Sequence, residues 1–191
     1  LPSEEAILSN MSALAEYAKL VQENNMVPMV EPEVLMDGNH SIDQCFEATS
    51  RSLECLFSLL NDKGVNIKGT ILKPNMVTAG SDSPVKADIQ EVANQTIKCL
   101  KMHVPDDLPG VTFLSGGQSD LDSTAHLDAM NKIGGFTWKL SFSYGRALQQ
   151  PALKAWMGKN ENTSLAQEAL SHRAHMNSLA SEGSWSSSLE N

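Results

Sequence analysis

Ten residues, Lys68-Gly69-Thr70-Ile71-Leu72-Lys73-Pro74-Asn75-Met76-Val77, carry an apolar run to a lysine and stop at a proline. A lysine placed there can sit at the mouth of a barrel, partly out of water. Burial disfavours an ammonium and lowers its pKa, which leaves a free amine able to attack a carbonyl. The alternative is a solvated lysine capping a strand, the ordinary situation for this residue. A second apolar run, Met26-Val27-Pro28-Met29-Val30-Glu31-Pro32-Glu33, turns acidic at its end. Side chains alternate along a strand, so Glu31 and Glu33 share a face. Two carboxylates at one strand terminus are costly unless a positive group is near. A loop with two solvated glutamates is the competing reading.

Two further stretches carry anion chemistry. Gly110-Val111-Thr112-Phe113-Leu114-Ser115 runs straight into Gly116-Gly117-Gln118-Ser119. Consecutive glycines let backbone amides approach an anion, and a helix N-terminus next to them adds a favourable dipole. An ordinary strand-to-helix turn would have a similar composition. Trp138-Lys139-Leu140-Ser141-Phe142-Ser143 is followed by Tyr144-Gly145-Arg146. Gly145 permits close backbone approach, and Arg146 offers a planar fork suited to a phosphate. A surface arginine at a helix start is its plain alternative.

Strands and helices must carry these groups, and the pattern supplies both. Apolar residues at helical spacing predict helices over 3–24, from the turn at 37–41 to about 62, and over 86–102, 120–131, 147–157 and 163–180. Strands fall at 26–33, 65–73, 110–115 and 138–143. Strand and helix alternate four times, which argues for a parallel sheet with helices outside. Glu31, Lys73, Ser115 and Ser143 each end a strand. In a (β/α)₈ barrel that end is the catalytic face, and loops after the last two strands often bind phosphate. Four strands do not close such a barrel, so the expectation is an α/β fold forming its C-terminal half. Residues 1–183 read as the barrel portion and 184–191 as a polar, flexible tail.

Composition narrows the partners. Hydrophobic residues make up 41% of the 191 and charged residues 19%, which suits a globular domain. The formal charge of -9 argues against nucleic acid, whose binding needs a basic face. No apolar run approaches the length of a membrane span, and no signal peptide is visible. Cys45, Cys55 and Cys99 show no pairing pattern, so they read as thiols in a reducing, cytoplasmic setting. His172 and His175 find no second cluster of ligand types, so no metal site and no cofactor is expected.

Taken together, the motifs resemble those of one family, the class I (Schiff-base) fructose-1,6-bisphosphate aldolases. The residues that carry the likeness are Val30-Glu31-Pro32-Glu33, Leu72-Lys73-Pro74-Asn75-Met76-Val77, Phe113 to Ser119 and Ser141 to Leu148. Val21-Gln22, Val27-Pro28, Leu153-Lys154-Ala155-Trp156 and Asn177-Ser178-Leu179-Ala180 extend it, from about Pro2 to Gly183. The resemblance implies that Lys73 forms an imine with a ketose carbonyl. It implies that Glu31 is the general acid and base, and that Glu33 sits beside the lysine and tunes it. Ser115, Gly116 and Gly117, with Ser143, Gly145 and Arg146, would hold a phosphate near the reacting end. A protonated imine is an electron sink, so this chemistry proceeds without metal. The resemblance also implies a homo-tetramer for the whole enzyme, and a phosphorylated sugar as its small-molecule partner.

The chain departs from the family in two ways. The opening four strands, with further active-site residues, are absent. Animal-like members close on a tyrosine, whereas this chain closes Ser188-Leu189-Glu190-Asn191, so that tyrosine's role does not carry over. Two other readings stay open. One is a non-catalytic half-barrel that binds phosphosugar or serves as an interaction or scaffold piece. The other is a different lysine aldolase on a barrel.

Overall fold

The order of elements follows from where caps and prolines stand. The computed structural model describes residues 1–190. Six helices alternate with four strands: α1 (Glu4–Glu23), β1 (Met29–Val30), α2 (Ile42–Asp62), β2 (Ile71–Leu72), α3 (Ile89–His103), β3 (Gly110–Phe113), α4 (Asp120–Ile133), β4 (Lys139–Phe142), α5 (Arg146–Trp156) and α6 (Thr163–Ser181). Ser3 caps α1, Asp88 caps α3 and Ser119 caps α4, each accepting from a backbone N–H in the first turn. Ser41 and Gln44 form a reciprocal capping box on α2. Because Asp88 is the cap, α3 starts later than the expected Lys86.

The strands lie side by side in the order β1-β2-β3-β4, all parallel. This is the expected half-barrel. Two strands are shorter than the apolar runs suggest. Pro28 and Pro32 flank β1, and proline has no N–H to give a ladder. In the run 65–73, Asn66 caps a 3₁₀ turn, Ile67–Gly69, which consumes the first half. Pro74 then ends the ladder just after Lys73, whose N–H donates to the Val30 carbonyl at 2.7 Å.

One face of the sheet is sealed and the other is not. Val30, Leu72, Val111 and Phe113 have no exposed surface and pack against the helices. Each such side chain contributes roughly 1.5–3 kcal/mol by leaving water. Met29, Ile71, Thr112 and Ser141, on the opposite face, are only half-buried. That is the face a closed barrel would turn inward.

The tail does not hang free. Trp185 donates its backbone N–H to Asp128 Oδ1 at 3.0 Å and its indole N–H to Glu190 Oε1 at 2.7 Å. A 3₁₀ turn, Ser187–Glu190, brings Glu190 to Arg173 of α6. Thus the stretch read as a polar, flexible tail packs on α4 and α6 as far as Glu190; its last residue, Asn191, lies outside the described residues. No helix among the described residues is long and apolar enough to cross a membrane.

Candidate active site

Lys73 and Glu31 each stand one residue beyond a strand, on neighbouring strands in register. Their side chains therefore meet. Lys73 Nζ lies 2.9 Å from Glu31 Oε1, with the lysine side chain 19% exposed and the glutamate 44%. Glu33 is exposed and, among the described residues, makes no ion pair with Lys73. The two glutamates expected to flank the lysine thus divide: one touches it and one faces solvent.

A buried amide holds this pair in place. Asn75 Oδ1 accepts from the Val34 N–H at 2.9 Å, while its Nδ2 donates to Thr49 Oγ1 at 3.1 Å and to the Met76 carbonyl at 3.0 Å. One side chain so ties the segment after β2 to the segment after β1 and to α2. The Val77 N–H donates to Thr96 Oγ1 of α3 at 2.9 Å, and Leu114 N–H donates to the Pro74 carbonyl at 3.2 Å. Farther out, the loops after β1 and β2 bond directly to each other. Gly80 N–H meets the His40 carbonyl at 2.9 Å, and Ser81 N–H meets that of Met36 at 2.7 Å. A Cβ on Gly80 would fall 2.3 Å from the Gly38 carbonyl oxygen, so only glycine fits there.

The ends of β3 and β4 are built from different material. Ser115 is buried, and Gly116 and Gly117 follow with φ of +55° and +87°. Both values lie where glycine is at ease. Gln118 Nε2 donates back to the Ser115 carbonyl at 3.0 Å, and its Oε1 faces His126 Nδ1 at 2.6 Å. Burial pushes the His126 imidazole down to about 4, against a smaller opposing pull from Asp122. His126 is therefore neutral at pH 7, and its ring N–H can donate to Gln118. Ser143 N–H donates to the Phe113 carbonyl at 3.0 Å, which places it beside the Ser115 loop. Gly145 and Arg146 are exposed and open α5. Two helix N-termini, of α4 and α5, thus adjoin the ends of adjacent strands, an arrangement suited to an anion.

Sequence reasoning left several supports without a role. Asn75, Gln118 and Tyr144 lie inside the singled-out motifs, but Asn75 and Gln118 also bond to Val34 and His126, elsewhere in the chain, and the Tyr144 phenol is buried without a bond, so none leaves a local pattern. His126 sits on the buried side of α4, where its spacing matches core residues. Arg173 shows no signal in the sequence, and it is 3% exposed. Among the described residues, no group of three or more His, Cys, Asp or Glu stands together as a metal site.

Comparison with known proteins identifies the family. The family model for fructose-bisphosphate aldolase class-I matches residues 1–191. A probable fructose-bisphosphate aldolase class 1 of Xylella fastidiosa (strain 9a5c) is 52% identical over 186 residues, covering 97% of this chain and 56% of the relative. Fructose-bisphosphate aldolase 4, cytosolic, of Arabidopsis thaliana is 50% identical over 185 residues, covering 96% and 47%. A solved structure of fructose-bisphosphate aldolase from Plasmodium falciparum superposes with a TM-score of 0.94 at 46% identity, covering 97% of this chain and 53% of that one. The chain spans about half the length of the curated relatives it matches. A family match from end to end, together with a shared fold at this identity, shows that the chain belongs to the class-I fructose-bisphosphate aldolase family.

Proposed function

We propose that this chain supplies the imine-forming half of an aldolase barrel. The barrel reversibly cleaves fructose 1,6-bisphosphate to dihydroxyacetone phosphate and glyceraldehyde 3-phosphate. The observation that carries the reading is the contact between Lys73 Nζ and Glu31 Oε1 at 2.9 Å. A nucleophile needs a base within hydrogen-bond reach, and this pair has that geometry.

Glu31 takes a proton from the Lys73 ammonium, and the freed amine attacks the ketose carbonyl carbon. A proton passes from the attacking nitrogen to the carbonyl oxygen, which becomes the carbinolamine hydroxyl. Glu31, now an acid, protonates that hydroxyl, and water leaves as the iminium forms. A base then removes the proton of the hydroxyl on the far side of the bond to be cut. The carbon–carbon bond breaks, its electron pair flows to the iminium nitrogen, and the aldehyde departs. The enamine left on Lys73 is protonated at carbon and hydrolysed to release the ketose. Glu33, two residues beyond Glu31 and exposed, adds negative potential at the rim. Ser115, Gly116, Gly117, Ser143, Gly145 and Arg146 hold the ketose phosphate. Residues 1–183 form the barrel portion, with 184–191 as an appended segment. The whole enzyme is a cytoplasmic homo-oligomer, a tetramer by resemblance.

Borohydride trapping tests this. The chain, alone and within a barrel of full family length, is incubated with dihydroxyacetone phosphate and reductant. The adduct is then located by peptide mass spectrometry. An adduct on Lys73 is the expected result. No adduct in either preparation overturns the reading, and an adduct on another lysine reassigns the nucleophile.

A further inference from the structure

One buried cation is shared by the C-terminal turn and the two loops at the ends of β3 and β4. Arg173, on α6, is 3% exposed although its guanidinium is always charged. Such a group is tolerated inside a protein only when it is paired. Nη2 donates to Glu190 Oε1 at 2.5 Å, and Nη1 lies 3.8 Å from Asp120 Oδ2. Glu190 is gripped in turn by the Trp185 indole N–H at 2.7 Å, with His172 Nε2 at 3.4 Å from its other oxygen. Burial works to raise the Glu190 carboxyl pKa, but these partners outweigh it and hold the carboxyl below its usual range.

Both anion-facing loops lead to the same place. Asp120 is the first residue of α4, directly after Gly116 to Ser119. Tyr144 stands between Ser143 and Gly145. Its phenol is buried beside Ser123, Thr124 and Asn177, without a hydrogen bond of ordinary geometry to any of them. Arg173 is close enough to favour the phenolate, although burial pushes the phenol up to about 12. One turn along α6, Asn177 Oδ1 accepts from Thr124 Oγ1 at 2.8 Å. A single face of α6 therefore backs the start of α4 and the Tyr144 turn together.

We propose that Arg173 is a positioning residue for the phosphate site, and that Glu190 fixes its orientation. The row Glu190, Arg173, Asp120 sets the start of α4 against the Tyr144 turn. The amides of Gly116–Gly117 and Gly145–Arg146 then converge on one phosphate. The inference rests on reading those loops as the phosphate cradle. It assigns to the C-terminal turn an effect on affinity for the phosphorylated substrate, transmitted through a side chain that never touches it.

The test compares two ketoses in a barrel of full family length. Borohydride trapping on Lys73 is titrated with dihydroxyacetone phosphate and with unphosphorylated dihydroxyacetone, in the wild type, Arg173→Met, Arg173→Lys and Glu190→Gln. Arg173→Met is expected to raise the half-trapping concentration of the phosphorylated ketose about tenfold, and Glu190→Gln about threefold, a range ordinary for coupling through packed side chains. Arg173→Lys, which keeps the charge and loses the fork, falls between wild type and Arg173→Met. The unphosphorylated ketose should be unaffected by all three. Should Arg173→Met fail to fold, Glu190→Gln carries the test alone. Equal changes for both ketoses, or an unchanged titration with a lowered thermal midpoint, would overturn the proposal and leave Arg173 a purely structural residue. A wild type that traps both ketoses equally well would instead remove the phosphate cradle itself.

Discussion

At the ends of β1 and β2, two side chains of opposite charge touch, and a buried asparagine behind them fixes their backbones. At the ends of β3 and β4, the polar surface is largely main chain: two glycines with positive φ, a serine, and an exposed arginine at a helix start. The first rim is held from the side, by bonds between neighbouring loops. The second is held from behind, by α4 and α6. The difference suits the two tasks proposed for them. Covalent chemistry needs one particular atom at one distance, so its supports must define a side chain. Holding an anion needs several weak donors in a ring, and backbone amides supply them wherever a Cβ is absent.

If the division is right, the rims fail in different ways. Glu31→Gln should slow imine formation by about 10²–10⁴-fold at saturating ketose, the usual worth of a general acid–base group. Arg146→Met should leave the saturated rate near wild type and raise the half-saturating concentration of a phosphorylated ketose. Stopped trapping at several ketose concentrations separates the two effects. The contrast breaks if Arg146→Met lowers the saturated rate as much as Glu31→Gln does.

Acid should loosen the second rim through His126. Burial depresses its folded-state pKa to about 4, while the unfolded imidazole titrates near the ordinary 6.5. The unfolded state therefore binds the proton first. The stabilisation is complete above pH 6.5 and is lost as the pH falls from there to about 4, a total of about 3 kcal/mol. Urea midpoints measured across that window should fall steeply in wild type and flatten in His126→Gln. An identical slope in the two proteins would acquit this histidine.

The smallest expected effect falls on the first rim. Asn75→Ala leaves the buried Val34 N–H without its acceptor and should cost about 2 kcal/mol of unfolding free energy. It should also reduce trapping on Lys73 at saturating ketose, because Glu31 is then free to drift. A variant that loses stability yet traps at the wild-type rate would show that the lysine does not depend on this brace.

The sequence makes the first rim's charged residues and the second rim's loops visible for the same reason. Both lie at transitions from apolar runs to polar residues, and such transitions mark strand ends in a parallel sheet. The alternation of strand and helix was equally plain, and the helix starts lie close to where Ser3, Ser41 and Ser119 stand as caps. What stayed hidden depends on contacts between residues far apart in the chain. The contact of Asn75 with Val34, that of Gln118 with His126 and that of Arg173 with Glu190 have no signature in composition or period. Apolar runs also overstate strand length, because periodicity registers burial and not hydrogen bonding. The prolines around β1 and the 3₁₀ turn before β2 end the ladder while the run continues. Alternation and the family resemblance both set Glu33 beside Glu31 and the lysine. Two positions on one strand face need not reach the same partner once a proline bends the chain between them.

The bonded crossing of the loops after β1 and β2 has a consequence for how such a chain can diverge. Gly80 lies so close to the Gly38 carbonyl that the two segments act as one piece, with His40 and Met36 carbonyls taken up by Gly80 and Ser81. An insertion in either segment would have to be matched by one in the other, in the same lineage and nearly at once. Changes of length are accordingly steered to connections whose bonds stay local, such as the exposed Met157-Gly158-Lys159 link between α5 and α6, where the Lys159 N–H donates to the Trp156 carbonyl. Around Lys73, descent can exchange side chains, but the count of residues is locked.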